Sequence, residues 1–159
     1  MLLRPGTCSR MLAIKADAGS GALEQMVLAE YCGGHFHAHV PELTKALRLK
    51  LDALIAALEE NFGTSAEFDE PKGGIFLWVK LPDGVDTRKL FQAALAEGVA
   101  INPGAEWSTD SSYAASRMRL CFASPSVDEI RRGVAVLAEV CRREFGVPRR
   151  IANTVSRGS

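Results

Sequence analysis

The sequence has no excess charge of either sign and no long apolar run. Lysine and arginine together number 19, as do aspartate and glutamate, so the formal net charge is +0. A chain without a net charge does not attract nucleic acid or an anionic membrane by electrostatics alone. No apolar stretch approaches the roughly 20 residues of a membrane-spanning helix, and the first residues lack the apolar region of a signal peptide. We therefore expect neither nucleic acid nor a membrane as a partner.

Cysteine pairs and nucleotide-binding glycine motifs are also missing. The four cysteines form no Cys-x-x-Cys pair, which favours buried thiols in a reducing cytoplasm over disulfides. Gly73-Gly74 and Pro103-Gly104 lack the pattern of a phosphate loop, and turn geometry explains both. What remains is a chain of 159 residues, 47% hydrophobic and 24% charged, which is typical of one globular domain.

A strand that is apolar on both faces lies in the middle of the chain. In residues 75–81, Ile-Phe-Leu-Trp-Val-Lys-Leu, aliphatic side chains occupy one face while Phe76 and Trp78 occupy the other. β-branched and aromatic residues favour strands, and a strand that is apolar on both faces belongs inside a layered domain. We therefore place it at the centre of the core.

Helical periodicity and strand alternation predict the other elements. The helices are expected at 22–31, 41–62 and 87–97, with a last helix from a Ser126–Glu129 capping box to Gly146. Further strands are expected at 99–102 and 117–123, and a polar loop at 105–116. This order predicts an α+β, two-layer sandwich: a small, mostly antiparallel sheet with helices packed on one side, preceded by a long helix.

Arg119 is the sharpest candidate for a binding residue. In residues 117–123, Met118, Leu120 and Phe122 share one strand face and Arg119 lies on the other. Arg119 should therefore point off the sheet, where its planar guanidinium can bind a carboxylate through paired donors. From the pattern alone, an exposed arginine on an open sheet face is the commoner explanation.

Three histidines form a His-x-His-x-His run. On an extended segment His35, His37 and His39 would share one face and could bind zinc or nickel. No aspartate, glutamate or cysteine at ligand spacing completes a set. Solvent-exposed loop histidines are therefore the default interpretation, and we predict no metal site.

Three segments of the chain together resemble one protein family. They are Pro-x-Gly-Gly-x-Phe-x-Trp-x-x-Leu-Pro from residue 71, Gly-Val-Ala-Ile-Asn-Pro-Gly from residue 98 and Arg-Met-Arg-Leu-Cys-Phe-Ala from residue 117. In this order they resemble the C-terminal, small domain of class I/II pyridoxal-phosphate-dependent aminotransferases. The resemblance is closest to the branch of aminoadipate and kynurenine aminotransferases and MocR-type regulators. It covers about residues 11–146 and implies that Arg119 binds the α-carboxylate of an amino acid or 2-oxo acid.

The same resemblance implies parts that are missing from the sequence. The family binds pyridoxal phosphate through a lysine in a Ser-x-Ser-Lys context, and none of the six lysines lies in one. We therefore expect no catalytic and no cofactor-binding residue, and no tight binding of pyridoxal phosphate to this chain alone. The expected organisation is an N-terminal segment 1–20, an aminotransferase-like small domain 21–146 that includes the linking helix 41–62, and a mobile tail 147–159.

Two functions are consistent with these observations. The first is an aminotransferase C-terminal domain or fragment, inactive alone unless a large domain completes it. The alternative is a non-catalytic oligomerisation or small-ligand-binding module derived from that domain, in which an apolar surface drives self-association. In either case we expect a cytoplasmic homo-oligomer.

Overall fold

The computed structural model describes Met11 and residues 19–148. They belong to two compact units with a boundary between Glu42 and Leu43, and every buried side chain of the described residues belongs to the second unit. The elements in chain order are α1 (Ala22–Phe62), β1 (Phe76–Lys80), α2 (Thr87–Ala96), β2 (Asn102–Pro103), a 3₁₀ turn (Gly104–Glu106), α3 (Ser111–Ala114), β3 (Arg117–Cys121) and α4 (Val127–Phe145).

The sheet is antiparallel, and β3 lies between β1 and β2. Arg119 of β3 is opposite Trp78 on one side and opposite Asn102 on the other. Because side chains alternate along a strand, the preceding residue, Met118, points to the opposite face and is fully buried. The alternation predicted for this segment is confirmed.

The helices cover one face of this sheet. Leu58 of α1, Leu90 of α2 and Leu137 of α4 belong to one buried cluster with Val79 and Met118 of the sheet. Burying a side chain of this size stabilises the fold by about 1.5–3 kcal/mol relative to leaving it exposed. The predicted α+β class, a small antiparallel sheet with helices on one side, is confirmed.

The first helix is longer than the sequence pattern indicated. We predicted separate helices at 22–31 and 41–62, whereas the structure has one helix of 41 residues with Pro41 inside it. The predicted break at Gly33-Gly34 is wrong because a glycine costs only about 1 kcal/mol in a helix. The neighbours of Pro41 are exposed, so water can satisfy the carbonyl that proline cannot bond. Despite this length, no helix of the described residues is apolar enough to cross a membrane.

Two later helices begin and end as the sequence predicts. Asp86 caps α2 by accepting a hydrogen bond from the backbone N–H of Arg88. Ser126 and Glu129 form the predicted capping box of α4, and Gly146 ends that helix with a positive φ of 66°. These residues satisfy backbone groups that a helix end leaves unbonded.

Three short segments differ from the expectation. The strand predicted at 99–102 is only Asn102–Pro103, and the predicted loop at 105–116 contains the 3₁₀ turn and α3. Asp110 begins α3 by accepting from the backbone N–H of Tyr113, and capping by a single aspartate is a weak signal over so few residues. Beyond α4, Val147 is buried, so packing extends past residue 146, while the rest of the predicted tail beyond Pro148 lies outside the described residues.

Gly104 lies where β2 meets the 3₁₀ turn, in very close contact with β3. A Cβ atom at this position would be 2.5 Å from the carbonyl oxygen of Arg117 and 2.7 Å from that of Ala114. Both atoms belong to the backbone and cannot rotate away. A glycine is therefore required for this turn to pack against β3.

We predict that Gly104→Ala destabilises the protein by about 1–3 kcal/mol, because overpacking against a backbone forces the sheet to shift. The matched control is Gly133→Ala in α4, where an added Cβ meets nothing within 4 Å. The control should be neutral or stabilising by up to about 1 kcal/mol, since alanine favours helix. Urea unfolding curves of both variants measure this, and equal stabilities would contradict the close contact.

We predict that Cys141 reacts with a thiol reagent only when the protein unfolds. The side chain is fully buried in α4, and burial raises the pKa of this thiol to about 12, so the reactive thiolate is scarce. In a variant with the other three cysteines replaced by serine, the rate of modification should follow urea-induced unfolding. Rapid modification in native buffer would show that this part of the core opens freely.

Candidate functional site

The guanidinium of Arg119 lies between two aromatic rings on the sheet face that the helices leave open. Its Cζ atom is 3.3 Å from the centroid of the Trp107 ring and 3.9 Å from that of Phe76. Both ring centroids lie within 3.9 Å of the same Cζ atom, and the rings cannot overlap each other. The Trp107 and Phe76 rings therefore contact the guanidinium from different sides. Cation–π attraction stabilises both contacts.

The Nε atom of Arg119 is buried and has no hydrogen-bond partner among the described residues. It is the one buried side-chain nitrogen or oxygen in this part of the chain with that property. Buried donors are normally satisfied, and each exception needs an explanation. Arg119 as a whole is only partly buried, so a ligand acceptor could reach the accessible part of the guanidinium although Nε itself is covered.

The other two cations on this face already have partners. Lys80 forms an ion pair with Glu67 at 3.2 Å, and Arg117 donates to the carbonyl oxygen of Tyr113 and stacks on its ring at 3.7 Å. Among the described residues, no carboxylate pairs with Arg119. This face therefore offers one guanidinium that is held in place and not yet neutralised, which is the arrangement that a carboxylate or phosphate oxygen pair fits.

Three secondary-structure contacts put the rings beside Arg119. Phe76 begins β1, two positions from Trp78, which pairs with Arg119. Trp107 directly follows the 3₁₀ turn, and its backbone N–H bonds to the carbonyl of Gly104 at 2.9 Å. The close packing of Gly104 on β3 thus determines where the indole lies.

Sequence reasoning found Arg119 and its strand face, but it missed Trp107. Trp107 stands in the polar stretch that we predicted to be a loop, where no periodicity gives its direction. The available signal was a large aromatic residue three positions after Pro103-Gly104, in a segment of otherwise small and polar residues. Its side chain is half exposed, with 52% of its surface accessible, and exposure of a single aromatic residue does not by itself mark a site.

The histidine run has a different geometry from the one we considered. His35, His37 and His39 lie in α1 rather than on an extended segment, so the three rings do not share a face. Tyr31 lies 5.1 Å from the ring of His35 and 5.7 Å from that of His39. Within the described residues, no group of three or more acidic, histidine or cysteine side chains could hold a metal ion.

The described lysines do not fit a Schiff-base site. Nζ of Lys50 donates to the carbonyl of Ala123 at 2.6 Å, and Lys80 is paired with Glu67. Lys45, Lys72 and Lys89 are exposed on the surface, where nothing excludes water from the amine. Lys15 lies outside the described residues. We therefore assign no pyridoxal phosphate chemistry to this part of the chain.

A groove of about 720 Å³ lies elsewhere, and Val99, Leu120, Ile130 and Leu137 contribute to its lining. Its lining carboxylates are engaged: Glu97 pairs with Arg143 and Glu129 accepts from Ser126. Among the described residues, none of the buried side-chain nitrogens or oxygens that line it lacks a partner. We therefore place the candidate site at Arg119 rather than in this groove.

Comparison with known proteins identifies relatives of the chain. The family model for aminotransferase class I and II matches residues 8–137. Aromatic-amino-acid aminotransferase 1 of Thermococcus litoralis is 32% identical over 130 residues, which cover 81% of this chain and 31% of that protein. An uncharacterized HTH-type transcriptional regulator of Bacillus subtilis is 29% identical over 77% of this chain and 25% of its own length.

Solved structures agree with the sequence relatives. The Pyrococcus horikoshii kynurenine aminotransferase matches with a TM-score of 0.72 and 34% identity, over 89% of this chain and 35% of that one. The chain thus spans about a third of the length of the aminotransferases that it matches.

Proposed function

The chain belongs to the class I and II aminotransferase family, and on that premise we propose that it is the small-domain part of a pyridoxal-phosphate-dependent transaminase. In this proposal Arg119 binds the α-carboxylate of an amino acid or 2-oxo acid. The observation that carries the proposal is the stacked guanidinium of Arg119, which pairs with no carboxylate of the described residues and whose Nε has no hydrogen-bond partner there. It lies in the strand segment through which the sequence resembles the family.

Arg119 would contribute binding and orientation rather than a chemical step. A guanidinium presents parallel N–H donors that match the two oxygens of a carboxylate, so it fixes the carboxylate plane as well as neutralising its charge. With the carboxylate fixed, the α-carbon has a defined position relative to the sheet. Orienting a substrate in this way is itself a large part of catalysis.

The cofactor chemistry would come from a large domain. Pyridoxal phosphate supplies an electron sink for the bonds at the α-carbon, and in this proposal the large domain brings the groups that hold it. Either a second chain or another part of the same protein would have to bring the large domain, and the short share of each relative that this chain covers supports this proposal. No comparable observation supports the alternative of a non-catalytic module, and the homo-oligomeric state and cytoplasmic location stay predictions.

We predict that 2-oxoglutarate or glutamate shifts the Nε–Hε resonance of Arg119 in a ¹⁵N-labelled sample of the full chain. Arg119→Ala should weaken binding about ten- to hundredfold, as measured by isothermal titration calorimetry, because a hydrogen bond to a charged group contributes roughly 1.5–3 kcal/mol. Arg117→Gln is the matched control, since Arg117 lies on the same strand face but is already bonded to Tyr113. Equal losses in both variants would indicate general electrostatic attraction instead of a site.

We predict that the chain alone forms no reducible adduct with pyridoxal phosphate. The measurement is a visible absorption spectrum with the cofactor, followed by borohydride reduction and intact-mass analysis. The expected result is the spectrum of free cofactor and an unchanged protein mass. One added cofactor mass would show that a lysine of this chain forms the Schiff base. The proposal that a large domain supplies the cofactor chemistry would then be wrong.

A further inference from the structure

We propose that Trp107 is a positioning residue for Arg119. With Phe76 it holds the guanidinium so that the guanidinium edge, and not a face, is presented to a carboxylate. This inference rests on the proposed carboxylate-binding role of Arg119 and adds a residue that sequence reasoning did not connect with it.

The orientation follows from the short distance between Arg119 and the indole. At 3.3 Å between Cζ and the ring centroid, a nitrogen pointing into the ring would lie well inside the roughly 3.5 Å of ordinary contact. The guanidinium plane is therefore roughly parallel to the indole. Phe76 lies on a different side at 3.9 Å, so the two rings cover the faces of the guanidinium, and a ligand must approach the part of its edge that is not buried.

Stacking reduces what a ligand must order when it binds. A free arginine side chain carries about 2 kcal/mol of rotamer entropy that is lost when it is fixed. Here the two rings have already restricted the side chain in the folded protein. The rings also keep water from the guanidinium faces, so hydrogen bonds at the edge form in a less polar environment and are stronger.

The backbone around Trp107 is built to hold the indole in this place. Its N–H bonds to the carbonyl of Gly104, and Gly104 touches the backbone of Arg117 so closely that a Cβ would not fit. Gly104 is therefore fixed against β3 at Arg117, two residues before Arg119. Trp107 follows Gly104 closely in the chain, so the position of its indole depends on this contact. Because 52% of its surface is accessible, its contribution to core packing is limited, and Arg119 is its closest aromatic or cationic contact among the described residues.

The chain contains a matched control for this contact. Tyr113 is 53% exposed and stacks on Arg117, in the same strand, at 3.7 Å. Replacing Tyr113 by leucine removes an exposed ring from a neighbouring arginine without touching Arg119. The backbone carbonyl of Tyr113, which accepts from Arg117, is retained in that variant.

The test compares Trp107→Leu, Trp107→Phe and Tyr113→Leu in the full 159-residue chain, first without ligand and then with 2-oxoglutarate. Without ligand, ring currents should displace the Arg119 Nε–Hε resonance in the parent, Trp107→Phe and Tyr113→Leu proteins, and Trp107→Leu should lose much of the displacement. With 2-oxoglutarate, Trp107→Leu should bind about fivefold or more weakly, as loss of a cation–π partner predicts. The other two variants should bind within about twofold of the parent, and thermal unfolding confirms that all are folded.

The possible failures are distinguishable. If the parent and Trp107→Leu bind 2-oxoglutarate equally well, Trp107 has no positioning role although Arg119 binds carboxylate. If Trp107→Phe is as weak as Trp107→Leu, an aromatic face is not what matters, and the inference is also overturned. If the ligand-free resonance is displaced but the parent shows no response to 2-oxoglutarate, the proposed function of Arg119 fails first, and the inference fails with it.

Discussion

The alternation of side chains along β3 is the constraint on which the rest of the structure depends. Because successive residues of a strand point to opposite faces, burying Met118 and Leu120 under the helices forces Arg119 onto the other face. A slip of one residue in the pairing of β3 would exchange these two sets, placing a guanidinium in the core and a methionine in solvent. The hydrophobic core therefore determines the direction of the binding residue. Stability and site geometry share a single cause.

The strands on either side of β3 place aromatic side chains beside Arg119. β1 brings Phe76 and Trp78 to the same face, and β2 leads into the turn that ends at Trp107. Each of these segments is short, and each packs its other side into the core or against the backbone of β3. The cation is thus surrounded by elements that could move only at the expense of buried contacts. This is how a small domain can hold a flexible side chain in one place.

The sequence predicts the features that depend on residues close together in the chain, and it does not predict those that depend on distant residues. The capping box at Ser126 and the alternation around Arg119 are local patterns, and both are confirmed. The continuity of α1 through Gly33-Gly34 is not predictable from local signals. The small free-energy cost of two glycines in a helix competes with the helix propensities of the other residues of this long element. The position of Trp107 depends on a contact between Gly104 and Arg117, thirteen residues apart. No pattern of periodicity reports such a contact.

The composition of β2 also limits how copies of this domain could join through their sheets. β2 is an edge strand of only two residues, and one of them is Pro103, which has no N–H to donate. A strand from another molecule would find too few backbone groups there to extend the ladder. Growth of the sheet is therefore disfavoured on that side. In the part of the chain that the structure describes, the other edge belongs to β1, where Glu67 already pairs with Lys80, so strand pairing there would have to use the rest of β1. A segment that ends in proline thus protects the domain from one route to aggregation.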